Sequence, residues 1–417
     1  MIPVLYRGSV KNLLGPVALS SKESTSAVVF EYTDAFSVFD WGRMPDLLFR
    51  KGEALAILAA HIMESLEKPE TWKEFSRSPE ALALRKGNRF GAVFNELGEE
   101  LQAHGLRTHY LGVMEEGSSV PVPLAAVQKP VRRVAVRQVS VVKPSMETVL
   151  GRTLPDYYLT RGAGAPRLVP LEVVFRLGCP EGSSLRDRVA RDPGYLASLG
   201  FPDTKMDVSS ESETCWDFPI LELFTKLEAA DRPVPLSEAL AISGLSAKTL
   251  QDILLKTAWI AGLLRYWCSK LGLTLSDGKL EWAMGEDGRA FLVDAIGPDE
   301  LRLSKKGQQL SKEFLRKYYR NTPWYEWVEK AKKQAKHQGV ADWKRFVPEG
   351  PPTLPLPYRE LAIHVYLALT NSFTGKQWFP EAWSLDRVAD LLGEQRVYPY
   401  SPQSRESLLK DDLKESV

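Results

Sequence analysis

The chain is poor in the residues that build covalent or soft-metal frameworks. Its 417 residues include three cysteines, Cys179, Cys215 and Cys268, widely spaced and odd in number. They form neither a disulfide framework nor a zinc ligand set, which fits a reducing, cytoplasmic setting. Five histidines occur, none in an H-x-H or H-E-x-x-H arrangement, so a histidine–metal centre is not expected. An excess of either charge is also missing. The 54 Lys and Arg residues stand against 53 Asp and Glu, which argues against a nucleic-acid or other polyanion surface. No apolar run reaches membrane-spanning length, and the opening MIPVLYRGSVKNLL has no signal-type apolar region, so a soluble protein without a membrane partner is expected. There is no Walker A loop and no G-x-G-x-x-G following a strand. The length itself suffices for two or three packed units with a sizeable core.

What is present centres on Leu273 to Arg302. Two strand-like runs, Leu273–Met284 and Arg289–Ala295, flank the turn-forming Gly285-Glu286-Asp287-Gly288, which predicts a β-hairpin. Alternation puts Asp277, Lys279 and Glu281 on one face. A symmetric four-residue turn places Lys279 opposite Asp294 and Glu281 opposite Leu292, so Asp294 joins them. In isolation such a face is a solvated one. Here the strands also carry Leu275, Leu280, Trp282, Phe291 and Val293, so burial is expected, and buried carboxylates repel unless a cation sits between them. Oxygen donors alone suit Mg²⁺, which in such sites also touches phosphate. The pattern therefore points to a magnesium–nucleotide site.

The order D-x-K-x-E, a hairpin, then D-(A)-x-x-P-D-x-x-R resembles the signature of the SAICAR synthetase family of purine biosynthesis. The match falls on Asp277, Lys279, Glu281, Asp294, Pro298, Asp299 and Arg302. It departs at Ala295, where the family has Glu, and at Glu300, where a small residue is usual. Further stretches carry the same resemblance. Leu5-Tyr6-Arg7-Gly8-Ser9-Val10-Lys11 is similar to the opening L-Y-x-G-K-x-K, with Ser9 in place of the first lysine. Asp34, Ser37 and Asp40 match D-x-x-S-A-(Y/F)-D. Val169–Arg176 matches (I/V)-P-x-E-V-(V/I)-V-R, followed by the Gly182-Ser183-Ser184 turn. Lys226, Glu228 and Asp231 match a K-x-(E/D)…D segment, and Ser311–Arg316 a helix ending in arginine. Helices are predicted from Lys51 to about Leu66, from about Phe90 to Ala103, and from a Ser246 cap to Leu271.

The resemblance implies an α+β fold of two lobes with an ATP cleft between them. Residues 1–142 form a β-rich nucleotide lobe, 143–167 an inserted loop near the hinge, 168–378 a larger substrate and metal lobe, and 379–417 a C-terminal extension. It implies an ATP- and Mg²⁺-dependent ligase joining carboxyaminoimidazole ribotide (CAIR) to aspartate through an acyl phosphate. Carried over residue by residue, Gly8, Lys11 and Lys226 face ATP, and Glu281 and Asp294 hold the metal. Arg176, Ser183, Asp277, Arg302 and Arg316 hold the ribotide. Lys226, Asp277 and Lys279 stand at the reacting groups. The alternatives are a paralogous ligase with another carboxylated heterocycle or amine, motivated by Ala295 and Ser9, and a non-catalytic nucleotide-binding homologue. A protein kinase lacks support, since neither H-R-D nor D-F-G occurs.

Overall fold

Short apolar stretches rich in Val, Leu and Phe bracket the turns of the N-terminal third and build its sheet. The computed structural model describes residues 2–17, 26–180, 182–204, 206, 213–228, 230–340 and 342–394. Strands β1 (Val4–Arg7), β2 (Lys11–Val17), β3 (Ala27–Tyr32), β4 (Tyr110–Met114) and β5 (Arg133–Arg137) form an antiparallel sheet in the order β1-β2-β3-β5-β4. Helix α1 (Lys51–Glu67) lies against it and buries Leu55, Leu58, Ile62 and Leu66, the stripe read from the sequence. Its start is pinned by Gly52, whose N–H donates to Asp34 Oδ1 at 3.0 Å. A Cβ at Gly52 would sit 2.5 Å from the Tyr32 carbonyl oxygen, so only glycine lets the helix begin this close to β3. Helices α2 (Pro69–Phe75), α3 (Pro79–Lys86) and α4 (Ala92–His104) follow, with Ser78 capping α3.

Residues 143–167, expected as a loop, are ordered into a hairpin of β6 (Ser145–Val149) and β7 (Arg152–Asp156) and a short helix, α5 (Tyr158–Gly162). Thr148 pairs with Thr153 and Glu147 with Leu154, while the strands remain almost wholly exposed.

The second sheet begins with β8 (Arg167–Cys179). After α6 (Ser184–Arg191) and α7 (Tyr195–Ser198) come β9 (Thr214–Thr225), β10 (Pro233–Val234), α8 (Leu236–Ser243) and α9 (Ala247–Lys270). Ser246 caps α9 by accepting from Thr249 N–H, and the helix buries Trp259, Ile260 and Leu263 beneath the sheet. Then follow β11 (Thr274–Met284), β12 (Ala290–Val293), β13 (Leu301–Lys305) and β14 (Gln308–Gln309), giving the order β10-β9-β8-β11-β13-β14 with β12 also on β11. Helices α10 (Lys312–Arg320), α11 (Pro323–Gln338), α12 (Leu356–Thr374) and α13 (Leu385–Glu394) complete the chain. The expected C-terminal extension thus includes a packed helix, with Leu385, Val388 and Ala389 buried; residues 395–417 lie outside the described residues.

The hairpin register differs from the symmetric expectation by one position. Glu281 pairs with Val293 and Met284 with Ala290, because the connection spans residues 285–289 rather than four residues. Asp294 does not face Lys279 across a ladder. It has left the strand, with φ of 66°. The same edge of β11 is shared by two strands. Its C-terminal half pairs with β12, and its N-terminal half pairs with β13, where Gly278 faces Leu301. Residues 294–300 are an excursion between two pieces of what is otherwise one strand, and this excursion carries the acids.

Candidate active site

The central strand β11 sets three side chains on one face, as alternation requires. Asp277 lies between Arg176 of β8 and Arg302 of β13 in one cross-strand row. Its Oδ2 is 3.1 Å from Arg176 and 3.4 Å from Arg302. Arg176 is 5 % exposed; it also donates to Ser183 Oγ at 3.3 Å and to Glu222. Glu222, buried within the apolar run of β9, accepts in turn from Arg188 and from the Tyr195 hydroxyl, at 2.9 and 2.8 Å. Three guanidinium groups here meet two carboxylates, Asp277 and Glu222, which leaves the cluster electropositive.

Further along β11, Glu281 faces Glu172 of β8 directly. Two like charges opposite each other destabilise a sheet unless cations bridge them. Lys226 does so, at 2.6 Å from Glu281 and 3.3 Å from Glu172, and Lys279 adds a contact of 2.8 Å to Glu172. Burial alone would raise the Glu172 carboxyl, but Lys279 and Lys226 bring it below the ordinary range. Glu281 goes the other way: burial and the nearby Asp294 charge push it up, against the pull of Lys226.

Asp294 is held from the other sheet. Lys11, at the start of β2 just beyond the Gly8 turn, reaches across to its carboxylate, and Gly8 N–H donates to Lys11 O at 3.1 Å. Burial would raise Asp294 and lower Lys11; their mutual attraction reverses both, so both remain charged. His109 Nε2 lies 2.9 Å from the Asp294 carbonyl oxygen, and His109 N–H donates to Leu292 O at 2.9 Å. The excursion 294–300 then presents Asp299 to Lys51 at 3.0 Å and to the Tyr366 hydroxyl at 2.7 Å. Glu300 lies nearby, its carboxyl raised by burial and by the charges of Asp299 and Asp294.

The residues expected at the site thus fall into two groups. Arg176, Ser183, Asp277 and Arg302 are in direct contact. Lys11, Lys226, Lys279, Glu281 and Asp294 form an ammonium–carboxylate network with Glu172. Arg316 stands apart on α10, bonded to Glu313 at 3.1 Å, and its charge and that of Arg302 both act on Glu313. Three participants were not singled out from the sequence. Glu172 and Glu222 sit inside apolar strand runs, a context in which an acid must find a buried cation. Lys51 opens an amphipathic helix yet is fully buried, which its position on the helix boundary concealed.

Among the described residues no group of three or more His, Cys, Asp or Glu is arranged to hold a metal ion. The carboxylates of Glu281 and Asp294 are a two-donor oxygen set, which suits Mg²⁺ that completes its shell with phosphate and water. No helix among the described residues is long and apolar enough to cross a membrane.

Two sheets joined by part-buried ion pairs, with a guanidinium cluster beside an ammonium–carboxylate network, are an arrangement that suits an enzyme handling phosphate. A family model described as SAICAR synthetase matches residues 163–333. An Archaeoglobus fulgidus protein assigned by name as a phosphoribosylaminoimidazole-succinocarboxamide synthase is 33% identical over 388 residues, covering 93% of this chain and 99% of that protein. The synthase of Thermoplasma acidophilum is 30% identical over 222 residues, 51% of this chain and 69% of its own. A solved structure described as SAICAR synthase shares the fold, with a TM-score of 0.51 at 15% identity, over 90% of this chain and 96% of that one. The chain belongs to the SAICAR synthetase family, and by class it is an ATP-dependent ligase of purine biosynthesis.

Proposed function

We propose that this chain joins the carboxylate of CAIR to the amine of aspartate, with ATP split to ADP and phosphate. The observation that carries the proposal is the pairing of Lys11 with Asp294 and of Lys226 with Glu281. Lys11, Lys226 and Lys279 balance Glu172, Glu281 and Asp294 when no ligand is bound. Such a network accepts a polyphosphate at the lysines and a divalent cation at Glu281 and Asp294 together, each offsetting much of the charge the other brings. Bound there, Mg²⁺ would supply neutralisation of the charge on the transferring phosphoryl group.

A carboxylate does not react with an amine directly, because oxide would have to leave. Attack of the CAIR carboxylate oxygen on the γ-phosphorus, with ADP leaving, gives an acyl phosphate. The aspartate amine then attacks the acyl carbon and phosphate departs as the amide forms. Lys226 and Lys279, bridged by Glu172, offer preorganised positive charge to the phosphoryl oxygens. The electropositive cluster of Arg176, Ser183 and Arg302 suits the ribotide phosphate, with Asp277 fixing the two guanidinium planes. Arg316, bonded to Glu313 on α10, is the further guanidinium for the ribotide. Purified protein incubated with ATP, Mg²⁺, CAIR and aspartate should yield the succinocarboxamide and ADP in equal amounts by mass spectrometry. ADP formed without an amide product would refute the proposed substrates.

A further inference from the structure

Strands β9 and β10 form a tight hairpin whose loop carries Lys226 at one end and Asp231 at the other. Leu223 faces Val234 and Phe224 faces Pro233. One step further, Thr225 N–H donates to Arg232 O at 3.0 Å and Arg232 N–H to Thr225 Oγ1 at 3.1 Å. The same register, continued, sets Asp231 opposite Lys226. The loop is fastened beside this pair. Lys226 N–H donates to Pro170 O at 3.2 Å, and Glu228 accepts from Arg232 at 3.0 and 3.1 Å and from the Tyr157 hydroxyl. Asp231 takes no part in the fastening. Its side chain reaches solvent and makes no hydrogen bond or ion pair among the described residues. It is faced by Lys226 of its own loop, Glu172 of β8, Lys279 of β11 and Asp40 of the segment before α1. The other acids around it each hold a cation: Lys226 and Lys279 for Glu172, Lys226 for Glu281, Lys332 for Asp40.

We infer that Asp231 is the base that takes a proton from the aspartate nitrogen as the amide forms. The inference rests on the ligation proposed above and supplies a group that its second step needs. Aspartate arrives as an ammonium and carries two protons more than the amide nitrogen keeps. Asp231 takes the first, which frees the lone pair that forms the C–N bond. The second passes to the oxygen of the departing phosphate as the acyl C–O bond breaks with its electron pair. Asp231 then returns its proton to water. An acid held in an ion pair accepts a proton poorly, whereas Asp231 is open and stands beside the two lysines assigned to the phosphoryl group. Partial burial and the Glu172 charge raise its carboxyl to about 6, against the pull of Lys226 and Lys279. It is ionised at neutral pH and still basic enough to hold a proton, the range in which a general base works best.

The test compares the parent with Asp231→Asn, using mass spectrometry in the presence of ATP, Mg²⁺ and CAIR. The nucleophile is first aspartate, then hydroxylamine, which is already uncharged at neutral pH. Asp231→Asn should lose about a hundredfold or more in the rate of amide formation with aspartate. The KM for ATP and the rate of hydroxamate formation should both stay within about threefold of the parent, since neither needs the base. The deficit with aspartate should narrow as pH rises, because free amine then enters unaided. Asp231→Ser carries the same expectation, and Asp231→Glu should recover part of the loss. Parent-like amide formation by Asp231→Asn or Asp231→Ser overturns the inference. An equal loss with hydroxylamine also overturns it, because Asp231 would then serve phosphoryl transfer. ADP with neither amide nor hydroxamate from the parent would remove the proposed ligation itself, and the inference with it.

Discussion

At Asp294 the backbone is left-handed, a conformation that asparagine adopts as readily as aspartate. Asp294→Asn therefore removes the charge and keeps the turn. Lys11 loses its counter-ion, and one of the two oxygen donors beside it loses its charge. The variant should fold with a melting temperature within a few degrees of the parent and lose roughly a hundredfold or more in kcat/KM, the scale of a deleted electrostatic stabiliser. Activity near the parent level at saturating Mg²⁺ would remove Asp294 from the metal site. His109 makes a second prediction. A carbonyl oxygen only accepts, so the Nε2 that meets Asp294 O carries the hydrogen. Burial lowers its pKa from 6.5 to about 4. Between those values the unfolded chain binds a proton that the folded chain does not. The stability contributed by this residue is complete above about pH 6.5 and is lost as pH falls toward 4, by roughly 3 kcal/mol in all. Chemical denaturation from pH 4.5 to 7 should show that slope, and His109→Gln should flatten it.

Among the elements, the hairpin of β6 and β7 touches little: nearly every residue from Ser145 to Leu154 is exposed. The anchors of the segment lie after it, in the Tyr157 hydroxyl donating to Glu228 at 2.9 Å and Thr160 donating to Val142 O at 3.0 Å. Replacing Ser145–Asp156 by a short glycine–serine link should shift the melting temperature by no more than a few degrees and leave ATP affinity within about threefold. A collapse of either would show that the hairpin supports the cleft. The elements also show what the sequence made legible. Asp277, Lys279 and Glu281 share a face because a strand has a period of two, and that much needs no structure. The partner of each could not be read in the same way. Register depends on the length of the connection, and one extra residue between β11 and β12 moved every cross-strand pair. Asp294 reaches the cluster through a left-handed residue at the end of a strand, not through alternation. Lys51 and Glu222 were hidden because their partners are remote in sequence, in Asp299 and Arg176.

Among the described residues the two larger sheets share one apolar core and are tied at its edge by a few polar groups. Lys11 and His109 come from the first sheet or its borders, and both end on Asp294; Lys51 ends on Asp299. Thr108 bridges Leu292 directly. A ligand that engages both sides of this junction should stabilise the chain as one unit. Mg²⁺ and ATP supplied together at about a hundred times their dissociation constant should add roughly 2.7 kcal/mol. Calorimetric melting should show a single transition moving upward with the pair. The metal alone or the nucleotide alone should each do much less, because either one leaves a charge of the network uncompensated. Separate transitions for the two halves would show that the junction does not couple them.

The interrupted strand also offers a blank. On β11, Glu281 faces Val293 and Gly278 faces Leu301, so Lys279 and Leu280 between them lack a ladder partner on that edge. Two residues in extended conformation would span the same gap that 294–300 now loops around. A chain in which Val293 is joined to Leu301 through a Thr-Val dipeptide, with Lys51→Met so that no buried ammonium loses its partner Asp299, should keep its sheet while losing Asp294, Asp299 and Glu300 at once. The acid-bearing excursion thus sits as a loop within an otherwise ordinary strand edge, and cutting it out leaves a scaffold on which other loops of the same span can be tried.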